Sequence, residues 1–163
     1  MSAPTEKLIA SNPIARSDYF IEETVEAGIV LVGTEIKSIR NQTPNLRDAF
    51  VEITHKKRGT SDARSLEAWL VNLHIGPYSH GNIWNHEPRR RRKLLLHTHQ
   101  IKRMFGALTQ EGKTIVPLRM YYLNGRVKIE VAMGKGKKKG DKRDDQKKRS
   151  QDREIQQAMK KKR

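Results

Sequence analysis

Hydrophobic residues recur at every second position in several short stretches of the chain, and at every third or fourth position in one longer one. Over 126–133, Val127, Ile129, Val131 and Met133 alternate with Arg126, Lys128 and Glu130, which predicts a strand with one buried face. The preceding run, 115–122, is joined to it by Asn124-Gly125, the dipeptide that best suits a two-residue hairpin turn. Residues 66–75 also alternate, placing Trp69, Val71, Leu73 and Ile75 on one face and Glu67, Leu70, Asn72 and His74 on the other. The stretch 19–26 is rich in aromatic and β-branched residues and reads as a strand. Ala27-Gly28 predicts a bend or bulge before a short buried strand at 29–32, and 49–54 gives a further strand. Helical spacing appears at 98–110, where Ile101, Met104, Phe105 and Leu108 share a face, ended by Glu111-Gly112. Ile36 and Ile39 fit a short helix over 34–40, with Thr34 as N-cap and Arg40 suited to its C-terminal end.

About six short strands and few helices within some 115 residues favour a small closed or partly closed barrel, because closure hides strand edges. The oligonucleotide-binding type is one such barrel. A chain of 163 residues has room for one domain and a tail. Residues 1–17 hold two prolines and no period and read as a flexible arm, 18–133 as the barrel, and 134–163 as a basic tail. The segment 55–65 is a polar, basic loop; 76–92 has no period and carries Tyr78, His80, Trp84 and His86.

Charge changes this picture most. Lys and Arg number 34 against 18 Asp and Glu, a formal net charge of +16. Such an excess calls for a polyanionic partner, and nucleic acid is the simplest. Fourteen basic and five acidic residues fall in 134–163, where only Ile155, Ala158 and Met159 are apolar, too few to order the segment alone. The densest block is Arg89-Arg90-Arg91-Arg92-Lys93, five cations running directly into Leu94-Leu95-Leu96. Five adjacent charges resist burial, so the block reads as a phosphate-facing surface hinged to an apolar anchor. There is no cysteine, which excludes disulfides, thiol catalysis and cysteine-bound zinc. Met1 to Pro13 contains only Leu8-Ile9-Ala10 as an apolar run, and no stretch approaches the roughly 20 apolar residues of a membrane span. A cytoplasmic location with no membrane partner is therefore expected.

Catalysis finds little support. His80 and His86, or His97 and His99, offer the only tight histidine spacings; neither is a recognised ligand motif, and no carboxylate pair accompanies them to make a metal site. A ribonuclease would require two of these histidines to converge as acid and base. Glu22, Glu23 and Glu26 on one strand suit a catalytic carboxylate cluster, an outward-facing acidic edge or, in an RNA binder, carboxylates that accept hydrogen bonds from base amino groups. No phosphate-binding loop is present, and Trp84 and Tyr78 beside the arginines suit either base stacking or core packing. No enzyme, cofactor or metal is expected.

Several blocks occur in one order: Asp18-Tyr-Phe-Ile-Glu-Glu, Glu26-Ala-Gly-Ile-Val-Leu, Gly33-Thr-Glu-Ile-Lys-Ser-Ile-Arg40, Asn85-His-Glu-Pro88, Arg92-Lys-Leu-Leu-Leu-His97 and Asp141-Lys-Arg143. Together they resemble the small protein B family, the SsrA-binding proteins of bacteria, from about Asp18 to Arg143. The resemblance implies a mainly β fold: a six-stranded antiparallel barrel of the oligonucleotide-binding type, with about three helices and a basic C-terminal tail. It implies binding to the tRNA-like domain of transfer-messenger RNA and delivery of that RNA to stalled ribosomes. Alanyl-tRNA synthetase and elongation factor Tu would act on the same RNA. By the family's pattern Glu26, Leu95 and Lys128 lie at the RNA elbow. Arg89, Arg92 and Lys93 are added from their charge as backbone contacts, with Lys37 and Arg40 as further RNA-binding candidates. The tail would probe the empty messenger channel at the decoding region of the small subunit, through Lys137, Lys138, Asp141, Lys142 and Arg143. Asp144/Lys148 and Asp145/Arg149 are i,i+4 pairs, so the tail is expected to be disordered when free and helical on the ribosome. Gly140 departs from the histidine or aromatic usual in the family, and Pro13 and Ser17 from its usual arm residues.

Overall fold

The computed structural model describes residues 5–56 and 66–161. Most of the 55–65 loop therefore lies outside the described residues, as do the first four residues of the expected arm. Seven antiparallel strands form one sheet in the order β1-β6-β7-β2-β5-β4-β3. They are β1 (Glu6–Ser11), β2 (Tyr19–Ile29), β3 (Phe50–His55), β4 (Leu66–Val71), β5 (Arg92–Leu95), β6 (Thr114–Leu123) and β7 (Arg126–Gly136). Among the described residues four α-helices accompany them: α1 (Ala15–Asp18), α2 (Gly33–Asn41), α3 (Thr98–Thr109) and α4 (Lys139–Lys161).

The six expected strands become seven, and the expected closure is not made by hydrogen bonds. β1 and β3 end the sheet without pairing to each other, although β3 packs near β6 across the core. Glu6–Ser11 lies in the region read as an arm, yet it pairs along β6 from Glu6 opposite Leu123 to Ser11 opposite Arg119. β5, expected only as an apolar anchor, forms the bridge between β2 and β4.

The Asn124-Gly125 turn joins β6 to β7 with both residues at positive φ, 50° and 77°, as a type I′ hairpin requires. β2 runs straight through Ala27-Gly28 instead of breaking there. Its first part pairs with β7 across an irregularity between Ile21 and Glu23, and its last residues also pair with β5. On β4 the inward residues are Leu66, Ala68 and Leu70, while Trp69 and Val71 are half-exposed, the reverse of the expected phase. Asn72 explains both halves of the pattern: its left-handed backbone (φ 61°) shifts the alternation, and Leu73 and Ile75 beyond it turn inward.

α3 packs Ile101, Met104 and Ala107 into the core beside Leu70, Leu94, Met120 and Ile129, with Phe105 and Leu108 at the margin. A smaller cluster of Ala15, Val116, Leu118 and Ala132 seats α1 on the other side of the sheet. β7 continues past the expected tail boundary, since Gly134, Lys135 and Gly136 pair with Ile21, Phe20 and Tyr19. α4 has no core-facing stripe; Ile155 and Met159 are exposed.

Candidate nucleic-acid interface

Gly28 is the crossing point of the site. It stands opposite Lys128 on β7 and opposite Leu95 on β5. A Cβ at Gly28 would lie 3.2 Å from the Leu95 Cβ, so glycine lets β5 come this close. The register gathers Glu26, Leu95 and Lys128 from three strands far apart in sequence. They line one cleft of about 530 Å³, with Glu67, Lys93 and Gln100 on its walls. Leu95 is 56% exposed, a large apolar side chain held in water on a strand whose next residue inward, Leu94, is fully buried. The Lys128 Nζ sits 3.6 Å from the Glu26 Oε1.

The other Glu26 oxygen accepts a hydrogen bond from the Tyr121 hydroxyl. Tyr121 is buried, and burial together with the Glu26 carboxylate pushes its phenol well above the usual tyrosine range. It therefore stays a proton donor and fixes one side of the carboxylate. Sequence alternation marked Tyr121 only as a strand residue; its partner across the sheet could not be read locally. Arg40 reaches the same region from α2, lining a second recess with Leu95, Tyr122 and Lys128. Lys93 lies in the first cleft but is paired with Glu67 at 2.7 Å.

The arginine block divides. Arg89 is exposed, and Arg91 pairs at 2.6 Å with Glu52 on the surface. Arg92, expected to meet RNA phosphate, is completely buried. Its Nε donates to the Glu35 Oε1 at 2.7 Å, and its remaining nitrogens donate to the carbonyls of Leu73, Arg90 and Pro88. Arg90 adds two more bonds to Glu35, at 2.8 and 2.6 Å. Glu35 also accepts the Val32 N–H at the start of α2. Burial alone would raise the Glu35 pKa, but the hydrogen bonds from Arg90, Val32 and Arg92 outweigh it and hold the carboxyl below its ordinary range. Burial lowers the Arg92 pKa, with Glu35 opposing. Charge density hid the period of two: Arg92 shares the inward face of Leu94, and Lys93 the outward face of Leu95. Arg92 is thus an internal strut, and only its neighbours face solvent.

Lys37 projects from α2 away from the cleft, 5.6 Å over the Tyr78 ring, and lines a recess with Trp84. In the tail, the named residues split between anchoring and exposure. Lys137 has only 6% of its side chain exposed; it ion-pairs with Asp145, donates to the Arg16 carbonyl and lies over Phe20. Lys142 pairs with Asp18 at 2.9 Å, and Asp141 accepts the Lys138 N–H at the start of α4. Lys138 and Arg143 point to solvent.

Of the histidines named from the sequence, His97 alone lines the cleft. His86 has both ring nitrogens engaged, by Thr34 and the Ile75 carbonyl, and His80 lies beside Ser79. The rings of His97 and His99 stack at 5.7 Å. Among the described residues no three His, Asp or Glu side chains converge as a metal site would need, and no helix is long and apolar enough to cross a membrane.

Comparison with known proteins places this geometry. Residues 9–161 match the family model described as SmpB protein. The SsrA-binding protein of Pelobacter propionicus is 51% identical over 157 residues, covering 96% of this chain and 97% of its own. That of Geobacillus thermodenitrificans is 50% identical over 153 residues, covering 94% and 92%. The solved structure "tmRNA-SmpB: a journey to the center of the bacterial ribosome" aligns with a TM-score of 0.61 at 41% identity, over 80% of this chain and 85% of that one.

Proposed function

The chain belongs to the SmpB protein family, and on that premise we propose that it binds the tRNA-like domain of transfer-messenger RNA and brings it to stalled ribosomes as a non-enzymatic adaptor in the cytoplasm. The observation that carries the reading is the convergence of Glu26, Leu95 and Lys128 on one cleft at the β2–β5–β7 junction. The three supply complementary chemistry. Glu26, fixed by Tyr121, accepts from base amino groups; Leu95 covers an exposed base; Lys128 meets phosphate. Arg40 and Lys93 extend the positive rim, exposed Arg89 lies outside the lining of the cleft, and Lys37 lies beyond it. The near approach of β3 to β6 supports reading the sheet as an opened barrel of the oligonucleotide-binding type.

The tail serves the ribosome. Lys137 and Lys142 hinge α4 to the body, leaving Lys138, Arg143 and the distal helix free to meet ribosomal RNA at the decoding region, with Asp141 ordering the first turn. The expected disorder of the free tail is not what the structure shows, since Lys139–Lys161 is already helical; beyond the anchor α4 is exposed throughout, so its distal turns have no packing of their own and would be held only in the empty messenger channel. Peptide transfer belongs to the ribosome, aminoacylation to alanyl-tRNA synthetase and delivery to elongation factor Tu. A reconstituted rescue reaction tests the division of labour. Truncation after Lys137 should keep the affinity for the tRNA-like domain within about two-fold and abolish tagging. Loss of RNA affinity as large as that of a cleft variant would refute it.

A further inference from the structure

Ile83 and Trp84 are 87% and 81% exposed, more than any other large hydrophobic side chain among the described residues. They sit on a 3-10 turn, Asn82–Trp84, that is held on several sides. The Asn85 side chain accepts the Tyr78 N–H at 2.9 Å and donates to the Tyr78 carbonyl at 2.7 Å. Gly81 and Trp84 extend the turn by donating to the carbonyls of Tyr78 and Gly81. His86 ties it to the body. Its Nε2 faces the Ile75 carbonyl at 3.0 Å and must donate there, so its Nδ1 accepts from the Thr34 hydroxyl on α2. Ile75 donates in turn to the Pro88 carbonyl and closes the base of the loop. The indole is therefore presented in water by a braced loop, so little ordering cost remains for a ligand that stacks on it.

Its surroundings identify the ligand. Lys37 and Arg90 line the recess beside Trp84, and exposed Arg89 immediately precedes Arg90 in the chain; Glu87, which accepts the Arg89 N–H, is the nearby acid on this loop. Arg90 is committed to Glu35, so Lys37 and Arg89 are the cations available for phosphate. An exposed indole beside cations, with Ile83 next to it on the turn, makes a suitable seat for an unpaired base with its phosphates. This recess shares no lining residue with the Glu26–Leu95–Lys128 cleft, but the short segment from Arg90 into β5 joins them. Leu95 ends β5 and Arg90 lies two residues before its start, so the five-residue step between them spans at most roughly 17 Å even if fully extended, no more than about five stacked nucleotides.

We infer that Trp84, with Ile83, Lys37 and Arg89, is a second contact for the same RNA that occupies the cleft, stacking one of its unpaired bases. The inference rests on the RNA-binding reading above. The chain has two tryptophans, so Trp69→Phe leaves Trp84 as the sole reporter. Titrating the isolated tRNA-like domain into that variant should quench its fluorescence at the concentration where the RNA binds. Trp84→Ala should lower affinity about 10- to 100-fold with an unchanged melting temperature, and Trp84→Phe should retain most of it. Lys37→Ala should reduce the log–log salt slope by a little under one. Unquenched fluorescence with wild-type affinity for Trp84→Ala overturns the inference. So does a Trp84→Ala variant that binds the isolated RNA normally but loads ribosomes poorly, since the occupant would then be ribosomal. A wild type that shows no preference for this RNA over tRNA overturns the inference and the RNA-adaptor reading together, whereas wild-type preference with a silent Trp84 overturns the inference alone.

Discussion

Removing Glu35 separates a structural role for the arginine block from an RNA-binding one. Glu35→Ala leaves the Arg92 guanidinium wholly buried with carbonyl partners and no counter-charge. Breaking such a pair by deleting one member costs about 3–5 kcal/mol, a large part of the roughly 5–15 kcal/mol available to a domain. At about 2–4 °C per kcal/mol for a chain of this length, the melting temperature should fall by about 6–20 °C. Arg90 is partly exposed and can return to water, so the penalty belongs mainly to Arg92. The double variant Glu35→Leu/Arg92→Met removes both buried charges, leaves net charge unchanged, and should recover most of the loss. Thermal unfolding by circular dichroism gives the stabilities. Binding of the folded double variant to the tRNA-like domain should stay within about two-fold of wild type, because Arg92 has no exposed surface. A ten-fold loss of RNA affinity at an unchanged melting temperature would refute the reasoning and return Arg92 to the phosphate contacts. The cluster also has a pH signature. Glu35 is held below its ordinary value, so its stabilisation is present above about pH 4.3 and lost as pH falls through the depressed value. Wild type should therefore lose stability more steeply than the double variant below about pH 4.

The cleft gives further outcomes. Leu95→Asp and Lys128→Ala should each leave the melting temperature nearly unchanged, while Leu95→Asp weakens RNA binding by about ten-fold or more and Lys128→Ala reduces the salt slope by a little under one; equal affinity for all three proteins would remove the cleft from the account. Tyr121→Phe deletes the donor that fixes Glu26 but keeps the ring, so RNA affinity should fall by about three- to ten-fold with little change in stability. Glu26→Ala in that background should then cost less than it does alone, and strict additivity in the double-mutant cycle would contradict the positioning role.

How far the sequence discloses this structure depends on whether the cause is local. The β6–β7 hairpin was readable because Asn124-Gly125 fixes both turn residues in the left-handed region. α3 was readable because its buried positions repeat at helical spacing. β1 was not: its residues are mostly exposed, and it is a strand through its pairing with β6, more than a hundred residues away. The phase of β4 beyond Val71 depended on one backbone angle at Asn72. At the candidate site, the family's pattern names Glu26, Leu95 and Lys128, but bringing them together requires the register at Gly28. Arg92 was misread because five consecutive cations suggest one solvent face, while the strand alternates and Glu35 waits inside on a helix fifty-seven residues away. Trp84 was ambiguous between core and surface, since nothing local shows that Asn85 and His86 brace its loop outward.

The most direct measurement is a salt titration of wild-type binding to the isolated tRNA-like domain, with an equal-length tRNA as competitor. The account predicts a shallow log–log slope and strong preference for the tRNA-like domain, because base and shape contacts at the Glu26–Leu95–Lys128 cleft add to phosphate attraction. A steep slope with equal binding to both RNAs would show that the net charge of +16 does all the work, and would contradict the adaptor function while leaving the fold intact.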